Sequence, residues 1–209
     1  TNDEKVTITK VVFQDSIKSI DNESKVWDMS SSKNKTVMAR MVPNTDDSST
    51  NTLYIQGKGG VTANSDSSNL FNGFSKLLEI ENLKLLDTLT VTNMSQMFSG
   101  CSSLTSLDVS NFDTSQVTSM QGMFYDCTSL TTLDLNNFNT SKVTSMANMF
   151  DDCKSLINLD LRNVTFDNVT SYNEMFKGTL SSVNIITKDA TTKSWLEDKL
   201  GGNGTVTIA

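Results

Sequence analysis

The chain has 209 residues and a net charge of −7, with 17 Lys and Arg against 24 Asp and Glu, and it contains no His. Only two Arg are present, Arg40 and Arg162, and there is no basic cluster, which argues against a nucleic-acid surface. The lack of His removes the commonest general base and the Ser-His and Cys-His nucleophile pairs, and no run approaches the ~20 apolar residues that cross a bilayer.

In chain order, short alternating runs at Val6 to Phe13, Val26 to Met29, Val37 to Val42 and Leu53 to Ile55 read as strands. The polar stretch Ser30 to Lys35 reads as a hairpin loop and Thr45 to Asn51 as a polar connection. Gly57-Lys58-Gly59-Gly60 lacks the spacing and the Ser or Thr of a phosphate loop. Residues 1–70 are therefore expected to form a β-rich N-terminal cap that covers an otherwise open sheet edge. Residues Phe74 to Leu86, with Leu77, Ile80, Leu83 and Leu86 irregularly spaced, read as a degenerate first unit.

From there the sequence is periodic. Met-Phe recurs at Met97-Phe98, Met123-Phe124, Met149-Phe150 and Met175-Phe176, always 26 residues apart. The apolar residues between recur with it: Cys101, Cys127 and Cys153; Leu104, Leu130 and Leu156; Leu107, Leu133, Leu159 and Ile185; Val91, Val117, Val143 and Val169; Met94, Met120, Met146 and Tyr172. A period of this length means that a unit cannot bury its apolar face alone and must stack on its copies. Within one unit Leu133-Asp134-Leu135 alternates as a strand does, whereas Val143, Met146, Met149 and Phe150 fall at i, i+3, i+6 and i+7 as a helical face does, with Thr140 or Ser141 placed to cap it. The expected fold class is an α/β repeat solenoid: a leucine-rich-repeat-like right-handed coil over residues 71–182 with one short parallel strand and one short helix per 26-residue repeat. A C-terminal αβ cap over residues 183–209 is expected to add a strand at Val183 to Ile186, a helix at Ala190 to Leu200, a turn at Gly201-Gly202 and a strand at Thr205 to Ile208, sealing the second edge. Caps and repeats together make one continuous domain.

On the expected strands, the side chains that alternate away from the core form three rows: Ser106, Thr132 and Asn158; Asp108, Asp134 and Asp160; Ser110, Asn136 and Arg162. These nine residues are the candidate ligand-binding face. The Asp row repels itself unless Lys, Arg162 or a cation compensates, and a calcium role is set against the absence of any Asp-x-Asp-x-Asp-Gly loop. Three Cys in one column read as buried thiols rather than redox or zinc ligands, since there is no Cys-x-x-Cys. No metal, no cofactor and no catalytic residue is expected.

The pattern Met-Phe-x-x-Cys-x-Ser-Leu-x-x-Leu-Asp-Leu-x-Asn-Phe-x-Thr-Ser-x-Val-Thr-x-Met, at 97 to 120, 123 to 146 and partly 149 to 172, resembles the BspA-like leucine-rich repeats of bacterial surface proteins. Leu89 departs from it in the first unit, and Thr179 and Ser182 depart from it in the last. The resemblance implies an extracellular location at the cell surface of a low-GC Gram-positive bacterium or mollicute, with signal and anchor outside this stretch. It also implies adhesion to a host or bacterial surface protein or glycan. The expected function is a binding module that uses its strand face, not an enzyme, with no nucleic-acid partner and no membrane insertion of its own. A structural spacer or variable surface coat without its own ligand is the alternative.

Overall fold

The computed structural model describes residues 2–23, 25–30 and 35–209. The loop expected at Ser30 to Lys35 falls largely on 31–34, outside the described residues. Ordered along the chain are α1 (Asn2–Lys5), β1 (Ile8–Gln14), β2 (Lys25–Asp28), β3 (Val37–Pro43), β4 (Asn51–Gly57), β5 (Val61–Thr62), β6 (Glu79–Glu81), a single 3-10 turn (Leu83–Leu85) and β7 (Leu86–Asp87). They are followed by β8 (Thr132–Asp134), β9 (Asn158–Asp160), β10 (Asn184–Thr187), α2 (Ala190–Leu200) and β11 (Thr205–Ile208).

The N-terminal strands build a mixed sheet in the order β2-β3-β4-β1-β6. The β2-β3 and β3-β4 pairs are antiparallel; β1 pairs in parallel with both β4 and β6. Its central strand β1 buries Ile8, Val11, Val12 and Phe13, and the Phe13 ring meets the Phe71 ring edge-on at 6.4 Å. At the other end β8, β9, β10 and β11 make a four-stranded parallel sheet, in which Leu133, Leu159, Ile185 and Val206 lie in register and point inward. The helix α2 is held by the Asp189 side chain, which accepts from the Thr192 amide at 2.8 Å, and ends at left-handed Gly201. Between the two sheets, β5 and β7 form a short parallel pair.

The expected α/β solenoid class is overturned. The fold is mostly β, in mixed sheets, and among the described residues only α1 and α2 are α-helical, both outside the repeats. No unit contains a helix, and a strand is assigned within only some of the units. The reason lies in two backbone positions per unit that take left-handed φ: Asn69, Gln96, Gly122, Asn148 and Glu174 in one column, and Gly73, Gly100, Asp126, Asp152 and Gly178 in the other. Two left-handed residues four positions apart in each unit stop a right-handed helix from propagating. The stretch instead becomes a chain of tight turns, with Met123 donating to the Met120 carbonyl and Tyr125 to the Gly122 carbonyl.

The alternate amides leave the unit altogether. Met120, Gly122, Phe124 and Asp126 donate to the carbonyls of Ser145, Ala147, Met149 and Asp151 in the next unit, at 2.8–3.0 Å. The same forward ladder joins Met94, Gln96, Phe98 and Gly100 to Ser119, Gln121, Met123 and Tyr125. Parallel bridges Asp66↔Asn93↔Ser119↔Ser145↔Ser171 run through every unit. Nor does Thr140 cap a helix: its hydroxyl donates to the Thr165 carbonyl and accepts from the Thr165 amide, both at 2.8 Å, as Thr114 does with Asn139. These buried threonines satisfy a carbonyl and an amide of the next unit at once.

The left-handed columns give a test with two signs. Gln96 at φ 56 carries a conformation that costs an L-residue roughly 1–2 kcal/mol, so Gln96→Gly is expected to gain up to about 1 kcal/mol. At Gly122, φ 58 and a neighbouring Gln96 Cγ that would lie 3.3 Å from a new Cβ make Gly122→Ala unfavourable by about 1 kcal/mol. Urea unfolding of the two variants should shift the midpoints in opposite directions.

Candidate functional site

The outward face is built by the period-two alternation of β8 and β9. Leu133 and Leu159 turn into the core, so Thr132, Asp134, Asn158 and Asp160 turn out. Register places Thr132 beside Asn158 and Asn158 beside Asn184, and places Asp134 beside Asp160 and Asp160 beside Ile186. The row of carboxylates therefore ends at an apolar side chain. The preceding unit adds Ser106 and Asp108 without an assigned strand; its backbone is tied to the next through the Thr131 amide, which donates to the Thr105 carbonyl.

Six of the nine expected residues line one open depression of about 390 Å³: Ser106, Asp108, Thr132, Asp134, Asn158 and Asp160. Its apolar part is Leu107, Leu133 and Ile186. The other three, Ser110, Asn136 and Arg162, lie one step further along and are engaged in the fold. Asn163 Nδ2 donates to both the backbone carbonyl and the Oδ1 of Asn136 at 2.7 Å. Arg162 grips Asp160 through Nε, at 3.0 and 2.9 Å, and through a terminal nitrogen at 2.6 Å, so the Asp160 charge is compensated.

Each member of the Asp row has a second occupation that the sequence reading did not contain. Asp108, Asp134 and Asp160 accept through Oδ1 from the amides of Ser110, Asn136 and Arg162, at 3.0, 2.8 and 3.0 Å. Asp87 does the same for Leu89. A carboxylate accepting from the amide two residues on closes the turn that ends the strand. The Ser110 hydroxyl, and then its amide, hold the Asp108 carboxyl below its ordinary range. The signal was present, as Asp recurs two residues before Ser110, Asn136 and Arg162, where the chain must turn. The row is thus partly scaffold, and the side chains left for recognition are Ser106, Thr132 and Asn158 with the apolar floor.

Cys101, Cys127 and Cys153 are buried free thiols in one column, each Sγ donating to a carbonyl of the preceding unit: Phe71, Phe98 and Phe124 at 3.3, 3.2 and 3.1 Å. Burial pushes the Cys101 and Cys153 thiols up to about 12 and raises Cys127 well above its ordinary value. A thiol so held is neutral and a poor nucleophile. Among the described residues no group of three or more His, Cys, Asp or Glu is placed to hold a metal ion, and no helix is long and apolar enough to cross a membrane.

A family model described as "Mycoplasma protein of unknown function, DUF285" matches residues 65–188, more than half of the chain. The matched stretch carries the turn ladder and all nine residues of the outward face. No curated protein and no solved structure matches the chain.

Proposed function

We propose, for a chain that belongs to the DUF285 family of Mycoplasma proteins, that it is a recognition module which binds a protein or glycan through its outward strand face. One observation carries this reading. The depression of about 390 Å³ combines hydrogen-bonding side chains that differ from unit to unit, Ser106, Thr132 and Asn158, with an apolar floor at half-buried Leu107 and Ile186. Polar groups over apolar ground, fixed on hydrogen-bonded backbone, suit a ligand with both hydroxyl or amide groups and carbon faces. The reading is binding without bond-making. The resemblance of the repeat motif to BspA-like repeats supports a place at the cell surface and a role in adhesion, and the Mycoplasma family is compatible with a mollicute source.

The test is binding of the purified chain to arrayed host matrix proteins, bacterial surface proteins and glycans at physiological salt, beside Thr132→Arg and Asn158→Arg. These two side chains project outward and close no turn, so the variants should fold as the parent does. Alanine variants of the Asp row would remove turn acceptors and confuse binding with stability. Saturable binding reduced at least about tenfold by either Arg variant is the expected result. Binding that both variants retain would place recognition elsewhere, and no binding at tens of micromolar would favour the spacer reading.

A further inference from the structure

The turn ladder has a direction, and only one of its ends is closed. Met146, Asn148, Phe150 and Asp152 donate their amides forward to the carbonyls of Ser171, Asn173, Met175 and Lys177 in the last unit. That last unit keeps the ladder geometry, with Glu174 and Gly178 left-handed at φ 57 and 71. Yet among the described residues no acceptor meets the amides of Tyr172, Glu174, Phe176 and Gly178. The C-terminal cap, expected to seal this edge, does so only in part. Strand β11 extends the four-stranded sheet, and Trp195 stacks on Phe166 at 4.2 Å and meets Tyr172 edge-on at 5.5 Å. Between the ladder and the end of α2 there remains an open depression of about 460 Å³, bordered by Glu174, Phe176, Gly178, Lys199 and Asn203.

We propose that this open edge is an interaction surface for another polypeptide, which adds one more turn segment to the ladder. The internal interfaces define the occupant's chemistry. At each of them a segment of the Met-Phe type offers carbonyls at alternate residues to the amides of the unit before, and lays its Phe ring on the preceding one at 5.4–5.9 Å. An incoming segment that repeats the backbone part of this chemistry would satisfy four amides, as strand addition does at a sheet edge, while the Phe176 ring is already buried and offers it no open face. A second copy of this chain stacking head to tail is a poor occupant. Its first unit is already covered, by Phe13 against Phe71 and by Lys5 Nζ donating to the Asn72 carbonyl at 2.9 Å. The partner is therefore a different chain carrying an uncovered segment of this kind.

The experiment uses the full chain and a synthetic peptide of its own residues 118–128, which holds one ladder segment. Amide exchange is followed by NMR. At a peptide concentration ten times its dissociation constant, exchange at Tyr172, Glu174, Phe176 and Gly178 should slow roughly tenfold, while the neighbouring amides of Met175 and Lys177, already bonded within the unit, should change little. A peptide of the same composition in scrambled order should leave exchange at the four amides unchanged. Unchanged exchange at the four amides with millimolar peptide would overturn the proposal, as would equal protection by the scrambled peptide. Self-association of the chain in sedimentation, with these amides protected, would overturn the choice of partner. Array binding through Thr132 and Asn158 is read on a different face, so either reading can fail while the other stands.

Discussion

Replacing Phe124 by alanine is expected to lower the unfolding free energy by about 3–5 kcal/mol, a large fraction of what a domain of this size has to lose. The ring is fully buried and lies nearly parallel to two others, 5.8 Å from Phe98 and 5.9 Å from Phe150, with interplanar angles of 2° and 5°. Removing it deletes two stacked contacts, each worth about 0.5–1.5 kcal/mol beyond area burial, and opens a cavity at the centre of the column. The neighbours cannot collapse into that cavity easily, because the ladder on both sides fixes their backbones. Stability in such a stack is a sum over neighbouring interfaces, so the same change at Phe176, which has a single stacked neighbour in Phe150, should cost distinctly less. Urea unfolding of the two variants beside the parent measures both losses. A loss below about 1 kcal/mol for Phe124→Ala would mean that the ring column does not hold the repeats together.

Alkaline pH is expected to destabilise the fold through its three thiols. Desolvation raises the folded pKa of Cys101 and Cys153 from an ordinary 9.0 to about 12, and raises Cys127 in the same direction. A raised pKa in the folded state means that the neutral thiol is favoured there. The stabilising contribution is complete below pH 9 and is lost as pH climbs from 9 toward 12, because only the unfolded chain can release the protons. Cys101 and Cys153 each approach a slope of about 1.4 kcal/mol per pH unit in that window, about 3 kcal/mol per unit together, and Cys127 adds in the same direction. Urea midpoints under reducing conditions at pH 8.0, 9.0, 9.5 and 10.0 should fall with increasing steepness, and a triple Cys→Ala variant should show a much flatter profile. Parallel profiles for parent and variant would show that the thiols titrate alike folded and unfolded.

The columns of the core are legible in the sequence because burial imposes the period directly. Every apolar residue from Met94 to Phe98, Met120 to Phe124 and Met146 to Phe150 that the 26-residue repeat singles out is buried, as are Leu104, Leu130 and Leu156. The N-terminal strands and the strand, helix, turn and strand of the C-terminus also stand close to where alternation and the Gly201-Gly202 turn place them, whereas the Asp189 cap was not read from the sequence. What misled the reading of the repeats is that Val143, Met146, Met149 and Phe150 would share one face in a helix and equally share one in a chain of tight turns. Side-chain periodicity does not distinguish hydrogen bonds made within a unit from those made between units. The distinguishing signal was in the backbone formers, Gly, Asn and Asp at positions 100, 122, 126, 148, 152 and 178, which are poor company for a helix and apt for left-handed turns. At the site, alternation was enough to select the outward rows. The turn-closing bond of each Asp and the apolar floor at Leu107 and Ile186 depend on how separate units meet, which one repeat read alone does not reveal.

The alternate amides of each repeat bond forward to the next unit rather than back along a helix. Scalar couplings transmitted through hydrogen bonds identify donor and acceptor by NMR in a single experiment. The Phe124 amide nitrogen should couple to the carbonyl carbon of Met149, and that of Gly122 to Ala147. Coupling of the Phe124 amide to the Met120 carbonyl, four residues back, would restore a helix to the repeat and contradict both the fold and the open edge inferred from it.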